Sequence, residues 1–331
     1  MQCSQPGSAG QTTAWSPQGG WRRTLRRAGI ALWIAWWALP AAWAEQHALL
    51  VGVNAVDALP ARLRLRGPAN DVALMRQALL QRGFEARNIV VLAQGTPAAA
   101  AAPTQREVLQ AMDRIAQRVR EGDTVVLHLA GHGVQVPQAM PLRNGVAPEP
   151  EGLDEVFLLQ DSGSWDAAQA SLPRALRDDD IGAWIDALVD RGARVFAIFD
   201  SCHAAGLARE PSAYARWRAV AAAELGVPSS VMPAAGATVA ASKRQGSRTD
   251  GRVLAYAARG HELAGEEWLP KGASVARTRV QGVFSFEVAG ALLSGARTAE
   301  ELAAALRERY AAAGRRSPSP MVVGDGPLTM R

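Results

Sequence analysis

The feature that most constrains this chain is an alternation. Short β-rich runs are separated by segments whose apolar residues recur at helical spacing. Residues 48–53 form the first run, and Val72, Met75 and Leu79 then fall on one helical face before Gly83. Residues 89–92 form a second run. Thr104 and Glu107 make a capping box ahead of a helix with Val108, Met112, Ile115 and Val119 on its buried stripe. Residues 124–129 are a continuous apolar strand, 156–159 a shorter one. Ile181, Trp184, Ile185, Leu188 and Val189 mark a helix opened by Asp178, Asp179 and Asp180, and 195–199 is the next strand. Strands apolar on both faces, alternating with helices, predict an α/β fold with a mainly parallel sheet covered by helices on both faces. In such sheets reactive groups collect at the carboxyl ends of strands. His132 follows one strand end between two glycines, and Cys202 follows another in Asp200-Ser201-Cys202-His203.

Residues 22–44 read as an export signal. Arg22, Arg23, Arg26 and Arg27 form a positive start, residues 28–39 an apolar core, and Ala42-Trp43-Ala44 a small-residue cleavage site. Cleavage after Ala44 implies a periplasmic or secreted protein, and an uncleaved leader would anchor it to the inner membrane. Residues 1–20 precede this signal as extra N-terminal sequence. The leader carries four arginines and no acids, so without it the net charge falls from +5 to +1. A nearly neutral body gives no reason to invoke nucleic acid. Cys3 leaves with the leader, so Cys202 has no disulfide partner and no cysteine zinc site can form.

A thiol attacks as its thiolate, and a nearby imidazole is the usual proton acceptor. His47 opens a strand, His128 lies within one as a hydrogen-bonded core residue, and His261 reads as a surface residue. His203 is adjacent to Cys202, where side chains diverge. His132 is the candidate base, its flanking glycines allowing a tight turn and close approach.

Leu129-Ala130-Gly131-His132-Gly133 and Phe199-Asp200-Ser201-Cys202-His203 resemble the signature segments of metacaspases and bacterial caspase-like cysteine peptidases. Gly67-Pro68-Ala69-Asn70-Asp71 and Gly152-Leu153-Asp154-Glu155 are similar to two further segments of that family. The resemblance implies a caspase-like three-layer sandwich. It also implies a single domain at 45–331: a large-subunit-like part (45–208), an exposed connector (209–252) and a small-subunit-like part (253–331). Cys202 would be the nucleophile and His132 the base and acid, with the N–H groups of Gly133 and Cys202 as oxyanion hole. Asp71 and Asp200 would line a pocket for Arg or Lys before the scissile bond, although each also has a structural reading, Asp71 as a helix cap and Asp200 as a turn holder. Two departures stand out: Ala130 where a serine is frequent, and Ala205 in place of the serine of Cys-His-Ser-Gly.

The resemblance implies no required cofactor and calcium as an activator. Asp178, Asp179 and Asp180 are suited to a hard cation and equally to the positive end of a helix dipole. It also implies self-cleavage after basic residues, for which Lys243, Arg244, Arg248 and Arg252 are candidates. The expected function is thus an exported, monomeric cysteine endopeptidase acting on peptides with a basic residue before the cut. The alternatives are a catalytically silent interaction protein of the same fold and a peptidase of the same clan with another specificity pocket.

Overall fold

In a computed structural model, the structure describes residues 44–138, 152–202, 216–233, 251–259 and 262–328. The leader and Lys243, Arg244, Arg248, His203 and His261 lie outside the described residues.

The elements run β1 (Gln46–Gly52), α1 (Pro68–Gln81), β2 (Ile89–Ala93), α2 (Gln105–Arg118), β3 (Thr124–Ala130), β4 (Gly133–Pro137), β5 (Leu153–Phe157), β6 (Leu176–Arg177), α3 (Asp178–Asp190) and β7 (Arg194–Asp200). They continue with β8 (Arg216–Trp217), β9 (Arg252–Tyr256), β10 (Gly265–Leu269), β11 (Arg279–Gly282), α4 (Val283–Leu293), α5 (Ala299–Ala312) and β12 (Met321–Gly324). The central sheet has the order β12-β9-β7-β3-β1-β2. All its neighbours are parallel except the β12–β9 pair. Two small antiparallel sheets, β4-β5-β6 and β11-β10-β8, complete the strands.

Alternate strand residues feed two cores. Leu49, Val51, Val125, Leu127, Val195 and Ala197 pack with α2 and α3, through Met112, Ile115, Trp184 and Leu188. Ala48, Leu50, Val126, Phe196 and Ile198 face α1, α4 and α5, through Met75, Val288 and Leu302. This is the expected three-layer α/β arrangement, and it explains why the sheet strands lack polar alternation: neither face meets water. Of the capping box expected at Thr104 and Glu107 only one half is present. The Thr104 hydroxyl accepts from Glu107 N, and Thr298 with Glu301 forms a full capping box on α5.

Three expectations need correction. The strand expected at 156–159 lies at Leu153–Phe157, and the loop expected from 134 begins as a strand, Gly133–Pro137; the two pair with each other rather than with the central sheet. The connector is exposed only in part where it is described: residues 228–231 are exposed, but the stretch ahead of them is anchored. Arg218, Val220, Leu225 and Val227 are buried, because this stretch crosses the carboxyl ends of the sheet and puts its apolar residues into the α2–α3 core. Arg252 is no loop residue either. It opens β9 and bonds Asp186.

Candidate active site

Neighbouring strands β3 and β7 pair in register up to Ala130 opposite Asp200. Gly131 N then donates to Asp200 O at 3.3 Å, so His132 and Cys202 emerge side by side, each two residues beyond the last pair. Space is tight at Gly131, where a Cβ would sit 3.0 Å from the Phe157 ring. His132 and Cys202 are both buried.

His132 Nε2 lies 2.6 Å from Leu63 O. A carbonyl can only accept, so Nε2 carries the proton and Nδ1 is left as the basic atom. Nδ1 is buried and has no hydrogen-bond partner among the described residues. Burial pushes the imidazole down to about 4, against the raising effect of Leu63 O. Burial likewise pushes the Cys202 thiol up to about 12, although Ala264 N donates to its sulfur. At neutral pH the resting pair is therefore an uncharged thiol and an uncharged imidazole.

Beside this pair lies a charged cluster that is just as dry. Asp71, in the first turn of α1, and Asp200, at the end of β7, are fully buried around the guanidinium of Arg218. Arg218 Nη2 bonds Asp71 Oδ2, and Nη1 lies 3.1 Å from both Asp200 Oδ2 and Asp200 O. Glu266 Oε2 is 4.0 Å from Nη2 and accepts from Gly67 N at 2.6 Å. The three carboxylates hold Arg218 above its ordinary pKa, while burial pushes Asp71 up to about 7 with Arg218 opposing.

The cluster is buttressed from outside. Gly282 N donates to Asp71 Oδ1 at 2.8 Å. Ser285 donates to Asp200 Oδ2 from its backbone N at 2.9 Å and its hydroxyl at 2.6 Å. Because that hydroxyl donates to Asp200, it accepts from His128 Nε2, 2.9 Å away. His128 is thus the core histidine expected, held neutral by burial that pushes it down to about 3. Glycines keep the pocket open: a Cβ on Gly282 would fall 2.2 Å from Asp200 Oδ2, and one on Gly67 2.8 Å from Arg218 Nη2.

The main chain around Arg218 is held as tightly as its side chain. Arg218 O accepts from Gly133 N at 3.0 Å and from Cys202 N at 3.1 Å, the two groups expected to form an oxyanion hole. Arg218 N donates to Ala264 O at 2.9 Å, and β8 pairs antiparallel with β10. On the far side of the Arg218–Ala219 bond, Val220 N donates to Gly133 O at 3.0 Å. An extended segment of the chain thus lies across the strand ends, with an arginine in the acidic pocket and its carbonyl beside the thiol.

The structure therefore brings together Cys202, His132, Gly133, Asp71 and Asp200. Sequence reasoning missed Leu63, Glu266, Ser285 and Arg218. Leu63 acts through a backbone carbonyl and leaves no side-chain signal. Glu266 and Ser285 lie far from the motifs in sequence, and Arg218 was hidden in a stretch read as an exposed connector. Asp154, in the acidic segment, is buried 3.9 Å from Arg177. Asp178, Asp179 and Asp180 form the first turn of α3, where successive side chains diverge by about 100°. Among the described residues no group of three or more His, Cys, Asp or Glu is arranged to hold a metal ion.

A parallel α/β sheet between two helical layers, with histidine and cysteine on adjacent strand ends, defines the caspase-like class. Residues 46–210 match the family model described as metacaspase, peptidase C14 domain, and through them the chain belongs to that family. It is 31% identical over 170 residues to Metacaspase-1 of Candida albicans, covering 51% of this chain and 35% of that protein. Metacaspase-6 of Arabidopsis thaliana is 31% identical over 166 residues, covering 50% of this chain and 39% of that one. The matched segment thus spans between a third and two fifths of these relatives. A crystal structure of a Geobacter sulfurreducens protein has the same fold, with a TM-score of 0.51 and 21% identity over 87% of this chain and 94% of that one.

Proposed function

We propose that this chain is a cysteine endopeptidase that cleaves after arginine, with lysine as a weaker second choice. The observation that carries the reading is the seat of Arg218. Its guanidinium spans Asp71 and Asp200 while its carbonyl oxygen accepts from Gly133 N and Cys202 N. The planar fork of arginine meets both acids at once, whereas a lysine ammonium is a point charge on a single stem.

In the proposed reaction His132 Nδ1 takes the thiol proton as Cys202 Sγ attacks the carbonyl carbon. The tetrahedral oxyanion is held by the N–H groups of Gly133 and Cys202, one such donor being worth about 3 kcal/mol. His132 then gives the proton to the leaving amine, which departs and leaves a thioester. A water, deprotonated by His132, attacks that thioester and releases the carboxylic acid and the free thiol. Thiol and imidazole supply this chemistry, and calcium enters the proposal only as an activator. The first bond within reach of Cys202 is the chain's own Arg218–Ala219 bond, so the proposal includes self-cleavage there. The leader supports export to the periplasm or beyond, and cell fractionation tests it.

The deciding experiment uses fluorogenic peptides ending in Arg, Lys or Asp, with added calcium and with chelator, and Cys202→Ala as control. Cleavage in the order Arg, Lys, then no cleavage after Asp is expected, lost in Cys202→Ala. No thiol-dependent cleavage in any condition would leave the non-catalytic interaction protein as the better reading. Preference for Asp would remove the role given to Asp71 and Asp200.

A further inference from the structure

The seated segment touches more than the arginine pocket. Counting back from the bond beside Cys202, Arg218 is the first residue, Trp217 the second and Arg216 the third. Arg216 Nη1 donates to two main-chain carbonyls, Arg62 O at 3.2 Å and Arg64 O at 2.5 Å. Between them in sequence is Leu63, whose carbonyl holds His132 Nε2. Three successive carbonyls of one short turn, Ala61–Leu63 and the residue after it, therefore serve two purposes. The outer two take a guanidinium and the middle one takes the imidazole.

The surroundings suit a cation there despite the arginines of the turn. The Arg62 guanidinium is bound by both carboxylate oxygens of Glu224, at 2.5 and 2.6 Å, which offsets its charge. Trp217 lies over Gly265, where an added Cβ would stand 3.2 Å from its ring atoms. A missing side chain thus makes room for a large aromatic group at the second position. Backbone pairing of β8 with β10 fixes the register of all three side chains.

We propose that the turn at residues 62–64 is a second cation subsite, selecting substrates of the type Arg–aromatic–Arg before the cut. A guanidinium in it braces the turn that orients His132. The proposal rests on the peptidase reading above and names the substrate class of that same site. The substrate's own arginine then acts as a positioning group: its charge-assisted bonds to Arg62 O and Arg64 O hold the segment on which Leu63 O fixes the imidazole. An empty subsite leaves that turn less constrained. The loss is then felt in kcat and not in KM alone.

The test compares acetylated tripeptide coumarin amides on the purified protein: Arg-Trp-Arg, citrulline-Trp-Arg and Ala-Trp-Arg, all with the same leaving group. The seated segment competes equally with each. The expected kcat/KM falls about 10-fold from Arg to Ala at the third position, citrulline lying between, with part of the loss in kcat. In the full chain, Arg216→Ala is expected to slow the appearance of fragments cut between residues 218 and 219, followed by intact mass. Equal rates for the Arg and Ala peptides would overturn the subsite while leaving the peptidase intact. A loss confined to KM would overturn the bracing of His132. No Cys202-dependent cleavage of any of the three would remove the peptidase reading and this one with it.

Discussion

Two patches at the carboxyl ends of one sheet are equally dry and electrically opposite. The pair Cys202 and His132 is neutral, because burial drives the thiol pKa up and the imidazole pKa down. A few ångströms away, the Arg218 cation is buried among three acids, Asp71, Asp200 and Glu266, and burial holds the Asp71 carboxyl well above its ordinary pKa. The difference lies in partners. Where several acids converge on a guanidinium, Arg218 keeps its charge without water; where only one carbonyl and one N–H are offered, thiol and imidazole stay neutral. The structure thus combines a filled acidic pocket with an uncharged nucleophile.

The largest expected effect tests the neutral patch. A thiol raised to about 12 from its ordinary 9 holds about 1000-fold less thiolate at pH 8. Alkylation of Cys202 by iodoacetamide, mapped by mass spectrometry, should be slower than that of a free thiol by at least that factor, because the buried sulfur is also shielded from the reagent. Because the folded pKa is raised, the rate should climb tenfold per pH unit from 7 to 9. A rate near that of free cysteine would show that the two patches do not differ as described.

The charged patch should fail in the next largest measure. Arg218→Leu in a Cys202→Ala background removes the one cation that, among the described residues, faces three buried carboxylates, and should cost about 3–5 kcal/mol in denaturant unfolding. An unchanged midpoint would mean that the cluster is not closed in solution. Within that patch the buttress matters less. Ser285→Ala withdraws the hydroxyl bond from Asp200, leaves the backbone bond, and strips buried His128 Nε2 of its acceptor, so about 2–3 kcal/mol of stability should be lost. If the peptidase reading holds, the ratio of Arg to Lys cleavage should fall with it. A larger loss than from Arg218→Leu would reverse the ranking of buttress and cation.

How much of this was legible follows from the range of each signal. The strands that carry His132 and Cys202 are announced locally, by apolar runs that end in Gly131-His132-Gly133 and in Asp200 to Cys202. Asp71 was found because it sits in a short motif at a helix start. Strands β8, β10 and β11 escaped notice because they are short, carry charged residues and are stabilised mainly by pairing with one another. Arg218 looked like one more basic residue in a stretch of alanine, proline and arginine; its partners lie 147, 18 and 48 positions away in sequence.

By itself the sequence determined the alternation of elements, the burial of both sheet faces and the residues that end β3 and β7, because propensity and apolar periodicity are properties of neighbouring residues. Only the tertiary structure decided that a segment after Cys202 turns back across those strand ends. It also decided that Leu63 O sets the tautomer of His132, and that Arg218 rather than water fills the space between Asp71 and Asp200. Those outcomes depend on hydrogen bonds and charges between segments far apart in the chain, and no local pattern encodes which distant partner will satisfy a buried group.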